Sequence, residues 1–217
     1  MKVFFISGIG ADERLFNYIQ LPAKYEVVHI PWIPSLPGET LAAYGRRLFL
    51  PYNADEPFAL VGLSLGGIVS VEIAKLFNPV CTILLSSVPA ASRLPSYYRL
   101  IRKLRVHRLM PPTLWKITAI AKHYLTMKGR VNKRLMRSVI WEGDTRFIHW
   151  GINAVLEWDN EVIPQPLYHI HGTRDEVFPI RCARPTHVLP KAGHMAVFSH
   201  AETINAILPT LLQGAGL

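Results

Sequence analysis

Short apolar runs alternate with longer stretches of helical period along most of this 217-residue chain. Lys2–Ser7 is the first apolar run and Tyr25–Ile30 the second, each of strand length. Glu39–Leu50 carries Leu41, Tyr44 and Leu48 at helical spacing. Pro57–Leu60 opens a third, buried strand. Ile68–Phe77 follows as a helix that stops at Asn78-Pro79. Val80–Ser86 reads as a fourth strand. From Pro89 to Pro164 the alternation lapses, and Ser96–Leu109, Pro112–Tyr124, Asn132–Trp141 and Thr145–Trp158 all read as helices. It resumes with strands at Leu167–His171 and Thr186–Leu189. The last helix is expected to open on a capping box, Ser199-His200-Ala201-Glu202. Ile204, Ile207, Leu208 and Leu211 line one of its faces, and Pro209 should kink or shorten it.

Strand and helix in alternation imply a parallel sheet with helices on both faces. The expected fold is α/β: a doubly wound, mainly parallel sheet of about six strands. Residues 1–88 and 165–217 would form its core. Residues 89–164 would be a helical cap inserted between two core strands. Such sheets bind ligands at the carboxyl ends of their strands, and the insertion would sit over that edge as a lid.

One strand-to-helix junction carries chemistry. Gly62-Leu63-Ser64-Leu65-Gly66 is Gly-x-Ser-x-Gly, set between a buried strand and a helix, which is the context this motif requires. A serine that attacks a substrate must stand proud of the sheet on a turn too tight for side chains beside it. Gly62 and Gly66 relieve that crowding, and Gly67 would let the helix pack close. The helix start also points free N–H groups at the site.

A serine hydroxyl needs a base, and the base is usually held by a carboxylate. Asp175 lies on the loop after the strand at Leu167–His171, and His194 on the loop after the last strand. Both loops share the sheet edge with Ser64. Glu176 is the neighbouring rival to Asp175, while Asp144 and Asp159 in the insertion are better placed to cap helices. His171, His187 and His200 are rivals to His194, but His171 still belongs to a strand and His200 to a helix. An oxyanion needs preorganised N–H donors. Leu65 should supply one, and the loop Gly8-Ile9-Gly10, most naturally at Ile9, the other. Asp12 should cap a short helix over Glu13–Phe16.

Composition narrows the picture further. Half the residues are apolar, but no run of about 18 apolar residues exists to span a membrane. The start loosely imitates a signal peptide, yet its apolar part is too short and no cleavage pattern follows, so a cytoplasmic protein is expected. Cys81 and Cys182 read as free thiols, and no Cys/His spacing resembles a zinc site. The net charge of +9 is unevenly spread. Residues 73–141 hold 14 of the 24 Lys and Arg and none of the 15 Asp and Glu. In Ser96–Leu109, Tyr97, Leu100, Ile101 and Leu104 form an apolar stripe, with Arg99, Arg102, Lys103, Arg105 and Arg108 mainly off it. Tyr98, Trp115, Tyr124, Trp141, Phe147, Trp150 and Trp158 add aromatic surface to the insertion. The cations are either the solvated face of the cap or a field that draws in an anionic substrate or touches an acidic surface. No recognition motif accompanies them, which argues against nucleic acid.

With these residues in place the chain resembles the α/β-hydrolase superfamily, and is similar to small esterase-like members with a helical cap. The resemblance covers nearly the whole chain. It rests on Ser7-Gly8-Ile9-Gly10, Gly62-Leu63-Ser64-Leu65-Gly66-Gly67, Gly172-Thr173-Arg174-Asp175 and Gly193-His194. It implies a Ser64/His194/Asp175 triad, hydrolysis of an ester, thioester or similar acyl bond of a small molecule, and no cofactor. Many relatives have His-Gly where this chain has Ser7-Gly8. The chain also opens directly on the oxyanion strand, hence a minimal sheet. Acyl transfer by the same residues, and a ligand-binding or sensor protein that keeps the site but turns over poorly, are the alternatives. Family membership does not determine the substrate.

Overall fold

The computed structural model describes residues 1–52, 56–104 and 130–215. Six strands form one sheet: β1 (Lys2–Ile6), β2 (Glu26–Ile30), β3 (Phe58–Leu63), β4 (Cys81–Leu85), β5 (Leu167–Gly172) and β6 (His187–Leu189). Their order is β2-β1-β3-β4-β5-β6, and every neighbouring pair is parallel. The chain runs outward from β1 to β2, then returns to β3 on the other side of β1. The strand order therefore reverses between β1 and β3. The carboxyl ends of these two strands flank the crevice where such sheets place ligands.

The period-2 alternation of the strands builds two cores. Val3 and Phe5 of β1, with Ala59, Val61 and Leu63 of β3, face one side. There they meet Ile204, Leu208 and Leu211 of the last helix, α8 (Ala201–Gly214). Phe4 and Ile6, with Phe58 and Leu60, face the other side, against α1 (Leu41–Phe49) and α2 (Leu65–Phe77). Thr40 opens α1 by accepting the Ala43 N–H at 3.2 Å. In α2 every residue from Leu65 to Ala74 is buried, so the helix is apolar nearly all round instead of striped.

Between β4 and β5 lie α3 (Ser96–Leu104), α4 (Arg130–Glu142) and α5 (Thr145–Glu157). The expected helix at Pro112–Tyr124, and the end of that expected at Ser96–Leu109, lie outside the described residues. Both cores continue into the insertion. Met136, Val139 and Ile140 of α4 join the first, and Phe147 and Val155 of α5 the second. Asp144 caps α5 as expected, accepting the Arg146 N–H at 2.8 Å. Asp159 is the N-cap of no helix among the described residues, because it follows the C-terminal end of α5, where the free groups are carbonyls. The short helix over Glu13–Phe16 is 3₁₀, capped by Asp12.

Three further expectations change. Ser199 ends a separate turn, α7 (Ala196–Ser199), which like α6 (Ile180–Ala183) is a short α-helix. Its hydroxyl meets His200 Nδ1 at 2.8 Å, and α8 starts after His200 with no side-chain cap. The capping box fails because Ser199 is already helical. Pro209 does not shorten α8, which runs on to Gly214. On α3, Leu100 and Leu104 are exposed. That helix reaches the core through Tyr98, stacked on Phe178, instead of through the apolar stripe.

One buried polar contact ties the end of the insertion to the core. Glu72 lies in the apolar helix α2, only 2% exposed. Its carboxylate accepts Trp158 Nε1–H at 2.7 Å and Lys75 Nζ at 2.8 Å. Trp158→Phe keeps the aromatic packing but strips the indole donor from a buried carboxylate. It should cost about 1–3 kcal/mol of unfolding free energy in a urea titration, and a loss under about 0.5 kcal/mol would mean the contact is replaceable.

Candidate active site

The backbone at Ser64 is left-handed, with φ 54° and ψ −118°, a conformation that costs a non-glycine residue on the order of 1–3 kcal/mol. Its neighbours hold it there. Ser64 N–H donates to Leu85 O at 3.0 Å, tying the turn to the end of β4. The Ser64 carbonyl accepts Gly67 N–H at 3.0 Å, Ile68 N–H at 3.3 Å and the Ser87 hydroxyl at 2.7 Å. Gly66 is needed for approach and not for its dihedral angles. A Cβ there would run into the carbonyls of Ile6 and Ser7, at the end of β1. Gly62 and Gly67 are similarly enclosed, by Ser70 and Ser87. The helix thus starts tight against both neighbouring strands, and the Ser64 side chain, left uncapping, points out of the turn.

Ser64 Oγ lies 3.0 Å from His194 Nε2. His194 Nδ1 lies 2.9 Å from Asp175 Oδ2 and 3.1 Å from Oδ1. An ionised carboxylate only accepts, so Nδ1 carries the proton and Nε2 is free to take one from Ser64. All three side chains are largely out of water, at 8%, 4% and 5% exposure for Ser64, His194 and Asp175. Burial alone would raise the Asp175 pKa. The His194 and His171 rings and the Phe178 N–H outweigh it and hold the carboxyl below its ordinary value. Val177 and Phe178 N–H groups both donate to Asp175 Oδ1, at 2.8 and 2.9 Å.

The rivals take other places. Glu176 accepts the backbone N–H of His194 at 3.2 Å, so it anchors the loop and not the ring. His200 reaches Pro190 O at 3.1 Å, and His187 pairs with Thr186 at 2.9 Å. Neither touches Ser64. His171 is not beside the serine but behind the acid, its Nε2 3.3 Å from Asp175 Oδ2. The spacing His169-x-His171, two residues on one face of a strand that leads into the Asp175 loop, was the signal for it.

The loop after β1 lies against the serine. A Cβ built on Gly8 would be in ordinary contact with Ser64 Cβ, at 3.7 Å. Trp32 Nε1–H donates to Gly8 O at 3.0 Å, and Ser7 Oγ to Ala11 O at 2.7 Å, so the loop is tied at both ends. The N–H groups of Leu65 and Ile9 donate to no acceptor among the described residues. Helix α5 presses on both. A Cβ at Gly151 would come within 2.8 Å of Ile9 Cδ1 and 3.2 Å of Leu65 Cδ2.

A cleft of about 750 Å³ lies elsewhere, between the loop before α1, Glu72 and Lys75 of α2, and His149, Trp150 and Trp158. It contains none of the three aligned side chains. Among the described residues no group of His, Cys, Asp and Glu is arranged to hold a metal ion, and no helix is long and apolar enough to cross a membrane.

A family model described as the alpha/beta hydrolase family matches residues 3–207. Among solved structures, a thermophilic esterase from Thermogutta terrifontis is similar, with a TM-score of 0.72 and 16% identity over 99% of this chain and 90% of that one. A structure from work on carboxylesterases of the thaumarchaeon Nitrososphaera gargenis gives 0.74 and 15%, over 99% and 90%. An esterase from Exiguobacterium antarcticum gives 0.73 and 12%, over 100% and 92%. At such identities the likeness is one of fold. No curated protein matches the chain.

Two glycines separate approach from mere proximity. Gly66→Ala must displace the end of β1 and should lose about 1–3 kcal/mol of unfolding free energy. Gly8→Ala, with room for its methyl group, should stay within about 1 kcal/mol of the parent. Equal losses in a urea titration would remove the argument that the elbow is wedged against β1.

Proposed function

The chain belongs to the alpha/beta hydrolase family, and on that footing we propose that it is a serine hydrolase acting on a carboxylic ester or related acyl bond of a small molecule. Ser64 Oγ attacks the acyl carbon while His194 Nε2 takes its proton. Asp175 holds the imidazole in the Nδ1–H form and faces the imidazolium as it develops. The N–H groups of Leu65 and Ile9 receive the oxyanion, each worth roughly 3–4 kcal/mol in the transition state. The imidazolium then protonates the leaving group, and an acyl group stays on Ser64. Water, activated by His194, attacks that ester, releases the acid and restores the hydroxyl.

The observation that carries this reading is the unbroken contact from Ser64 through His194 to Asp175, at 3.0 and 2.9 Å. Residues 89–164 act in it as the cap. Contacts of Gly151 with Ile9 and Leu65 support that role, because they bring α5 over both donors. The cations of 73–141 favour an acyl compound that carries negative charge elsewhere in its structure.

Nitrophenyl esters, neutral and carboxylate-bearing and of graded chain length, test the proposal. Ser64→Ala should abolish turnover, and Asp175→Asn should lower kcat on the order of 10³- to 10⁴-fold. Added salt should reduce kcat/KM for the charged ester and spare the neutral one. Undiminished turnover by Ser64→Ala would overturn the mechanism, and equal salt dependence would remove the anionic substrate.

A further inference from the structure

A second pair of imidazoles is buried behind Asp175, and the mechanism above gives it no task. His169 and His171 lie on the same face of β5, both at most 2% exposed. His169 Nε2 and His171 Nδ1 are 2.9 Å apart. His171 Nε2 lies 2.7 Å from Phe178 O and 3.3 Å from Asp175 Oδ2.

The partners determine the protons. Phe178 O and Asp175 Oδ2 are acceptors only, so His171 Nε2 carries a hydrogen. Burial lowers the pKa of His171, against the opposing pull of Asp175, so its ring is neutral near pH 7. A neutral ring has one N–H, which leaves His171 Nδ1 bare to accept from His169 Nε2–H. His169 is then held neutral too, burial and the His171 ring pushing its pKa down to about 3. Its Nδ1 is left buried without a hydrogen-bond partner among the described residues.

The Nε2–H form of His171 closes a ring of contacts around the acid. Phe178 donates its N–H to Asp175 Oδ1 and accepts His171 Nε2–H on its carbonyl. That hydrogen goes to the Phe178 carbonyl, and His171 Nε2 stands 3.3 Å from Oδ2, the oxygen that takes His194 Nδ1–H, as a close contact without a hydrogen bond. Around His171 stand His169 from its own strand, Asp175 from the following loop and His194 from the loop after β6. Tyr98 of α3 faces Asp175 from the insertion side.

We propose that His171 is a positioning residue for the acid of this site: its Nε2–H, kept in place by His169, holds the Phe178 carbonyl, whose own N–H holds Asp175 Oδ1, and thereby keeps the carboxylate aligned on His194. The inference rests on the serine-hydrolase reading. Removing the donor should make Asp175 hold the His194 proton less tightly, and the acid limb of the pH–rate profile should move down.

Two substitutions isolate that hydrogen. In His171→Gln the amide nitrogen reaches as far as Nε2, whereas in His171→Asn it stops near Nδ1. On a nitrophenyl ester, His171→Asn is expected to move the acid limb down by about half a pH unit. It should also lower kcat on the order of 10-fold with KM little changed. His171→Gln should restore both to near the parent values. Parent-like limbs in both variants, with Ser64→Ala inactive, would overturn the role of His171 and leave the serine mechanism standing. An active Ser64→Ala would sink that mechanism instead. Nitrogen-15 NMR of the unsubstituted protein gives an answer independent of how the variants fold. The Nε2–H form of His171 at neutral pH is expected, and the Nδ1–H form would refute the proposal.

Discussion

A left-handed serine between β3 and α2 survives only if its surroundings pay for it. At Ser64 the restraint comes from both neighbouring strands. β4 supplies the Leu85 carbonyl and the loop after it the Ser87 hydroxyl, and the end of β1 leaves no space for a side chain at Gly66. The parallel register of β1, β3 and β4 brings these ends level. The same register places the loops after β5 and β6 on that edge, so His194 arrives within hydrogen-bond reach of a hydroxyl 130 residues away, and Asp175 within reach of His194. Sheet order is thus the cause, and the alignment of the three side chains its consequence.

Much of this was readable in advance, for definite reasons. β3 and α2 are long and strongly apolar, and Gly-x-Ser-x-Gly between them has few other uses. Asp175 and His194 follow strands in the expected order, and alternation ranked His194 above His171 and His200 while leaving Glu176 beside Asp175 as a rival. What could not be read depended on side chains meeting across loops. Glu176 holds the backbone of His194, a role with no local signature. His171 looked like strand filler, because both faces of a central parallel strand are buried and periodicity cannot separate a packed ring from a working one. Ser199 fitted a capping pattern, yet an extra turn at Ala196–Ser199 had already consumed it. The stripe on α3 predicted a buried face, but Leu100 and Leu104 face solvent.

The insertion matters through where it touches. α4 and α5 enter both cores, and α5 lies against Ile9 on the loop after β1 and Leu65 at the start of α2. Trp158 then returns the chain to α2 through Glu72. The serine, the histidine and the aspartate are largely buried, where fixed dipoles and charges act more strongly. Burial of Asp175 is tolerable only because His194, two backbone N–H groups and the His171 ring surround it.

Covalent labelling is the most direct check that this buried alignment makes Ser64 a nucleophile. The protein would be treated with a fluorophosphonate, digested and mapped by mass spectrometry. Rapid, single modification on the peptide bearing Ser64 is the expected result. A protein that stays unlabelled, or is labelled as fast on another serine, would contradict it.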